Sequence, residues 1–197
     1  MLRSILPQNI HLAPYMLLAT LLILLALLPE PIQQWLLYDR AALAKGQYWR
    51  GLSGHLLHSN HWHLLMNLAG LLLVMLLHGH YFRSRQLLLQ WPLFAGIISV
   101  LLYFCSPGMQ IYVGLSAMLH AMLTLGALKD IQVKQSTGAL LFAGLIAKVA
   151  WEQWQGPDAQ LSQLINASVA IDAHLYGVIS GVLLAVLLWL AKCLDKA

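Results

Sequence analysis

Asp172-Ala173-His174-Leu175-Tyr176-Gly177-Val178-Ile179-Ser180-Gly181 opens an apolar run that continues to Ala191. On a helix, His174, Gly177 and Gly181 share one face. A Gly-x-x-x-Gly face lets a second helix approach to backbone contact inside a bilayer. Its natural partner is Gly114-Leu115-Ser116-Ala117-Met118-Leu119-His120-Ala121, where Ala117 and Ala121 form a small-x-x-x-small pair at the same spacing. If those faces meet, Ser116 and His174 come together, and a serine beside a neutral imidazole is a nucleophile with its general base. The same faces also suit a plain close-packed helix pair carrying an incidental histidine, and the two segments alone leave that open.

Composition sets the surroundings. Of 197 residues, 60% are hydrophobic and 9% charged, against roughly 25% charged in soluble domains. So few charges cannot clothe a water-facing surface, which excludes a free-standing soluble globule and a disordered chain. The 11 Lys and Arg cluster nowhere, so nucleic acid is not an expected partner. The formal charge of +4 is read as membrane topology. Cys105 and Cys193 have no metal-ligand spacing and are expected as two buried, inert thiols on opposite membrane faces.

Six apolar runs follow one another at about 12–28, 61–77, 87–105, 112–128, 138–154 and 167–191, each near the ~20 residues that a span needs. Pro29 and Pro31 stop the first, and Pro-Glu-Pro after it lacks the small residues of a signal-peptide cleavage site, so a retained span is expected. Between the first two runs, 30–60 is too polar to span, yet it carries Trp35, Tyr38 and Trp49, which suits a loop lying in the interface. Six spans put both termini on one side. With that side inside, the inner face holds Arg3, Arg83, Arg85, Lys129, Lys134, Lys192 and Lys196, and the outer half only Arg40, Lys45, Arg50 and Lys148, as the positive-inside rule asks. One domain over 1–197 is expected, with no internal repeat.

Polar groups within a span are costly and tend to mark function. His63 and Asn67, four apart at the outer end of the second run, stack one turn above the other. Both can donate to one oxygen. With the Ser116 N–H, exposed by the tight turn that Gly114 permits, they can serve a developing oxyanion, or they can glue two helices together.

In order and spacing these residues resemble the rhomboid intramembrane serine proteases over nearly the whole chain. The matching features are Trp49-Arg50 in the first outer loop, His63-x-x-x-Asn67, Gly114-x-Ser116, and Ala173-His174-x-x-Gly177-x-x-x-Gly181. The resemblance implies an all-α membrane protein, a six-helix bundle with a half-submerged first outer loop. It implies Ser116 as nucleophile and His174 as base of a dyad without a carboxylate, with His63, Asn67 and the Ser116 amide as oxyanion hole. Trp49 and Arg50 would anchor the loop, and His58 would order the hydrogen bonds atop the second span. Asp172, two residues before His174, points away from it and is not expected to join them.

Two departures stand out: Ala117 where the family usually has glycine, and His120 where many members carry tyrosine, placed to stack on His174. A compact chain with that histidine looks like the rhombosortase subgroup. The implied partners are lipid and transmembrane substrates with a C-terminal tail of Gly-Gly, an apolar helix and basic residues. Cleavage or transfer would occur near the outer face of a bacterial inner membrane, with both termini cytoplasmic and no cofactor. Substrate would enter past the second and fifth spans, where Trp151 and Trp154 are gate or interface anchors. Two other readings are a catalytically silent rhomboid-like binder of membrane helices and a metal transporter. The latter would use His55, His58, His61 and His63 with His78 and His80, since imidazoles suit transition metals.

Overall fold

The computed structural model describes residues 11–194. Arg3 and Lys196, counted above on the inner face, lie outside the described residues, as does the side chain of Lys192. The described chain is mostly helical. In order it runs α1 (Leu12–Ala26), α2 (Glu30–Leu36), β1 (Tyr38–Asp39), α3 (Arg40–Ala44), α4 (Arg50–Ser53), a 3-10 turn (Gly54–Leu56), α5 (His61–His78) and α6 (Ser84–Cys105). It continues with β2 (Ile111–Tyr112), α7 (Ser116–Gln132), α8 (Ser136–Gln155), α9 (Ala159–Ile165) and α10 (Ile171–Leu194).

Local chemistry sets these boundaries. Pro29 and Pro31 end α1 and open α2, where a missing N–H costs nothing. Asn60 caps α5 by accepting the His63 N–H at 2.9 Å, and Asp158 caps α9 through the Leu161 N–H at 2.7 Å. Gly156, at φ +84°, ends α8, and Asn166, left-handed at φ 52°, ends α9.

Three helices, His61–His78, Ser84–Cys105 and Ile171–Ala191, are long and apolar enough to cross a membrane, and Leu12–Ala26 is a shorter apolar helix. The fourth and sixth runs differ from their sequence-based limits. The fourth helix begins at Ser116, not 112, because Tyr38 and Asp39 pair antiparallel with Tyr112 and Ile111 and Gly114 then turns the chain at φ +129°. The sixth begins at Ile171, not 167, because the chain leaves α9 through left-handed Asn166.

The core is built around α7, which packs most extensively on α10 and also contacts α8, α5 and α6. Glycine makes the α7–α10 approach possible. A Cβ on Gly177 would collide with the Ala117 carbonyl oxygen, and one on Gly181 would lie 2.6 Å from that of Ala121. Both thiols are exposed, which corrects the expectation of burial: each stands at a helix end, where apolar packing has run out.

The loop between α1 and α5 is held by hydrogen bonds as well as by buried Tyr38 and Leu57. Buried Arg50 donates to Gln34 O at 2.8 Å, Leu37 O at 3.0 Å and Gln47 Oε1 at 2.7 Å. Trp49 Nε1 donates to Trp35 O at 3.2 Å, and the two rings lie 4.8 Å apart. The turn after α4 is tied to the strand before α7, since Gly114 N donates to Gly54 O at 3.2 Å.

Candidate active site

Ser116 is the first residue of α7, so its N–H is one of the helix's unpaired N-terminal donors. The turn that delivers it is fixed by the Tyr112 hydroxyl, which donates to Gly114 O at 2.6 Å. Gly114 is required twice. Its φ is +129°, and a Cβ there would lie 2.8 Å from His63 Nε2. His174 stands in the first turn of α10, and its Nε2 is 2.9 Å from Ser116 Oγ. The small-residue faces that draw the two helices together thus also set this hydroxyl against this imidazole.

The pair opens into a cavity of about 910 Å³ lined also by His63, Asn67, His120, Lys148 and Glu152. Asn67 is only 4% exposed, yet its Nδ2 has no partner within the protein, a costly state unless something else accepts from it. His63 is oriented by Ser59, whose Oγ lies 3.0 Å from Nδ1 and also donates to Ile165 O at 2.5 Å. With Asn60 Nδ2 donating to Leu164 O at 2.8 Å, this ties α9 to the top of α5.

His120 lies flat against His174, ring centroids 4.3 Å apart and planes 14° from parallel. His58 differs from its expected part. Both its ring nitrogens lack partners, and it meets His63 only edge to face at 5.1 Å. Burial pushes its pKa down to about 3, so it is a neutral packing ring, and Ser59 makes the bond to His63. Asp172 is engaged elsewhere, accepting from Ser106 Oγ at 2.6 Å.

Sequence reasoning missed Lys148 and Glu152. Both Glu152 carboxylate oxygens reach His174 Nδ1, at 3.0 and 3.2 Å, so an acid stands where a dyad alone was expected. Lys148 Nζ is 2.8 Å from Glu152 Oε1 and 2.8 Å from His120 Nε2. The signal was present as two ionisable residues four apart within an apolar run, a costly placement unless they pair.

Donor atoms of His120, Glu152 and His174 lie within 4.8 Å of one another, a spacing that can hold a metal ion. The Lys148 ammonium already lies within hydrogen-bond distance of all three, so a second cation would meet its positive charge. Among the described residues the other histidines form no such cluster. His55 Nε2 bonds Ser99 Oγ at 3.0 Å, and the His61 ring lies on Trp62.

Comparison with curated proteins finds no match. A family model described as the rhomboid domain matches residues 45–191, a stretch that begins in the first loop and takes in every residue of the cavity wall described above. A match over so much of its length means that the chain belongs to the rhomboid family, a family of intramembrane serine proteases.

Proposed function

We propose that this protein is a serine endopeptidase that cuts transmembrane segments near the outer face of the membrane, with Ser116 as nucleophile and His174 as general base. The observation that carries the reading is the 2.9 Å contact between Ser116 Oγ and His174 Nε2 at the edge of a cavity. In the reaction Ser116 Oγ bonds the substrate carbonyl carbon and its proton passes to His174. The tetrahedral intermediate collapses, the C–N bond breaks, and His174 returns the proton to the leaving amine. Water or another amine then releases the acyl group. Asn67 Nδ2 and the Ser116 N–H are the donors for the oxyanion, and the unpartnered Nδ2 of Asn67 supports that role. His63 joins them as a third donor when its ring is protonated on both nitrogens, since Nδ1 is the nitrogen that donates to Ser59 Oγ. Substrate must unwind before attack, since a helical peptide bond is hydrogen-bonded and shielded.

The reading extends to a single domain of six spans with both termini cytoplasmic in a bacterial inner membrane, supported by the six apolar runs and their charge bias. It also extends to the rhombosortase subgroup, whose substrates end in Gly-Gly, an apolar helix and basic residues. His120 stacked on His174 supports that assignment.

Co-expression with a secreted reporter bearing such a tail tests both levels. Wild type is expected to cut it, and Ser116→Ala or His174→Ala to leave it intact at equal expression. Cleavage that survives Ser116→Ala overturns the protease. Equal cleavage of a tail with Leu-Leu in place of Gly-Gly overturns only the subgroup.

A further inference from the structure

The ring of polar contacts around His174 closes on itself, and its direction can be worked out from one atom. The Ser116 carbonyl can only accept, so His120 Nδ1, 2.7 Å away, carries the proton. His120 Nε2 is then bare and accepts from Lys148 Nζ at 2.8 Å. Lys148 also donates to Glu152 Oε1 at 2.8 Å. His174 Nδ1 meets both Glu152 oxygens, at 3.0 and 3.2 Å, and Lys148 Nζ at the longer 3.3 Å. A carboxylate accepts only, so the two closer contacts assign the proton to Nδ1. That leaves His174 Nε2 bare, facing Ser116 Oγ at 2.9 Å, ready to take the hydroxyl proton. The opposite tautomer would set a nitrogen lone pair against a carboxylate at 3.0 Å and leave the serine without a base.

Resting on the serine-protease reading above, we propose that Glu152 is the third member of a Ser116–His174–Glu152 triad. It is a positioning residue supplied by α8 that holds the tautomer of His174 and stabilises the imidazolium formed during attack. Lys148 and His120 complete the ring by holding the carboxylate and tying it back to the Ser116 backbone. Four features favour this over a stray surface ion pair. Glu152 is largely buried, with a side chain 17% exposed. It lies on the cavity wall. Both its oxygens reach the same imidazole nitrogen. Its cation is one turn away on the same helix, so the pair needs no rearrangement to serve His174.

A fluorophosphonate probe on the full chain in detergent micelles tests this without knowledge of the substrate. Labelling forms the Ser116 Oγ–P bond and breaks P–F. Fluoride leaves, and the hydroxyl proton passes to His174 and then to solvent. The readouts are the maximal labelling rate and the probe concentration for half that rate, with folding checked by thermal unfolding. Glu152→Gln keeps the shape and removes the charge, a change that costs up to about 10⁴-fold in such triads. The expected result is a maximal rate at least about 100-fold lower, with half-saturation within about threefold of wild type. Glu152→Asp is expected to recover at least about tenfold of that loss, which a merely structural role would not predict.

Wild-type rates in Glu152→Gln, with Ser116→Ala unlabelled, would overturn the triad and leave the protease standing. A folded wild type that takes no label would overturn the protease and the triad with it. Should Glu152→Gln fail to fold, Glu152→Asp and Lys148→Met decide the matter. Both are expected to label more slowly than wild type at unchanged half-saturation, and parity in both overturns the proposal.

Discussion

Among the described residues two histidine–carboxylate pairs stand near opposite ends of α7. Near its start, His174 of α10 meets Glu152 of α8 at 3.0 Å. Near its end, His78 of α5 meets Asp130 of α7 at 3.1 Å. What differs is the company each keeps. The free nitrogen of His174 faces a serine hydroxyl beside a cavity of about 910 Å³. His78 Nδ1 has no partner, its ring fills the space over Gly126, and the adjoining void measures only about 10 Å³. Tyr81 also takes the second oxygen of Asp130, at 2.5 Å. An imidazole held by an acid thus becomes a base in the proposed reaction only where a nucleophile and room for substrate adjoin it. The other pair latches the end of α5 to α7.

The largest effect that would sharpen this contrast is at Asn67. Replacing it with Ala removes the unpartnered Nδ2 from the cavity wall and leaves the Ser116–His174 contact in place. Loss of one oxyanion donor costs about 10²–10³ in rate. Cleavage of the tailed reporter is therefore expected to fall about that much in kcat, with KM nearly unchanged. An unaltered kcat would remove Asn67 from the oxyanion hole.

A smaller effect is expected at the other pair, and of another kind. Asp130→Ala leaves the His78 ring and the Tyr81 hydroxyl without their acceptor. A buried group that loses its partner costs about 1–3 kcal/mol. The expected outcome is a lower Tm in detergent with unchanged Ser116 labelling per folded molecule. A labelling rate that dropped while Tm held would break the distinction between the two ends.

The sequence was most legible where chemistry is local or faces repeat. Gly177 and Gly181 against Ala117 and Ala121 could be read from spacing, and once those faces meet, Ser116 and His174 have little freedom to be elsewhere. Glu152 is hard to read from sequence because Lys148 serves equally well as an outer-face topology charge, with the carboxylate one turn beyond it as its surface partner. Its partner, His174, is 22 residues away across α9, a separation that no helix periodicity reports. The start of α7 is hidden for a similar reason. The pairing of Tyr112 with Tyr38 joins residues on either side of two long helices, and a two-residue strand has no pattern of its own. His58 misled in the other direction. A histidine among polar neighbours reads as a hydrogen-bonding group, whereas this one is buried and unbonded.

The effect that is smallest near neutral pH concerns the first loop, where His55 and His58 are buried. Burial holds His55 down to about 4 and His58 down to about 3, against 6.5 for the free side chain. Between those values the unfolded loop binds protons that the folded loop refuses. Stability is therefore fully present above about pH 6.5 and falls as the pH drops below it. Each histidine is expected to cost roughly 0.8 kcal/mol by pH 6 and more with further acidification. Arg50 and Trp49 anchor this segment, so its opening can be followed by amide exchange in 50–58 and by the fluorescence of the Trp35–Trp49 pair. Exchange should quicken from pH 7 to 5 after correction for the intrinsic rate, and His58→Phe, which fills the space without titrating, should blunt the change. The His78 end lies far from this loop and should hold its protection over the same range. Loss of protection at both ends together would mean that the molecule opens as one unit.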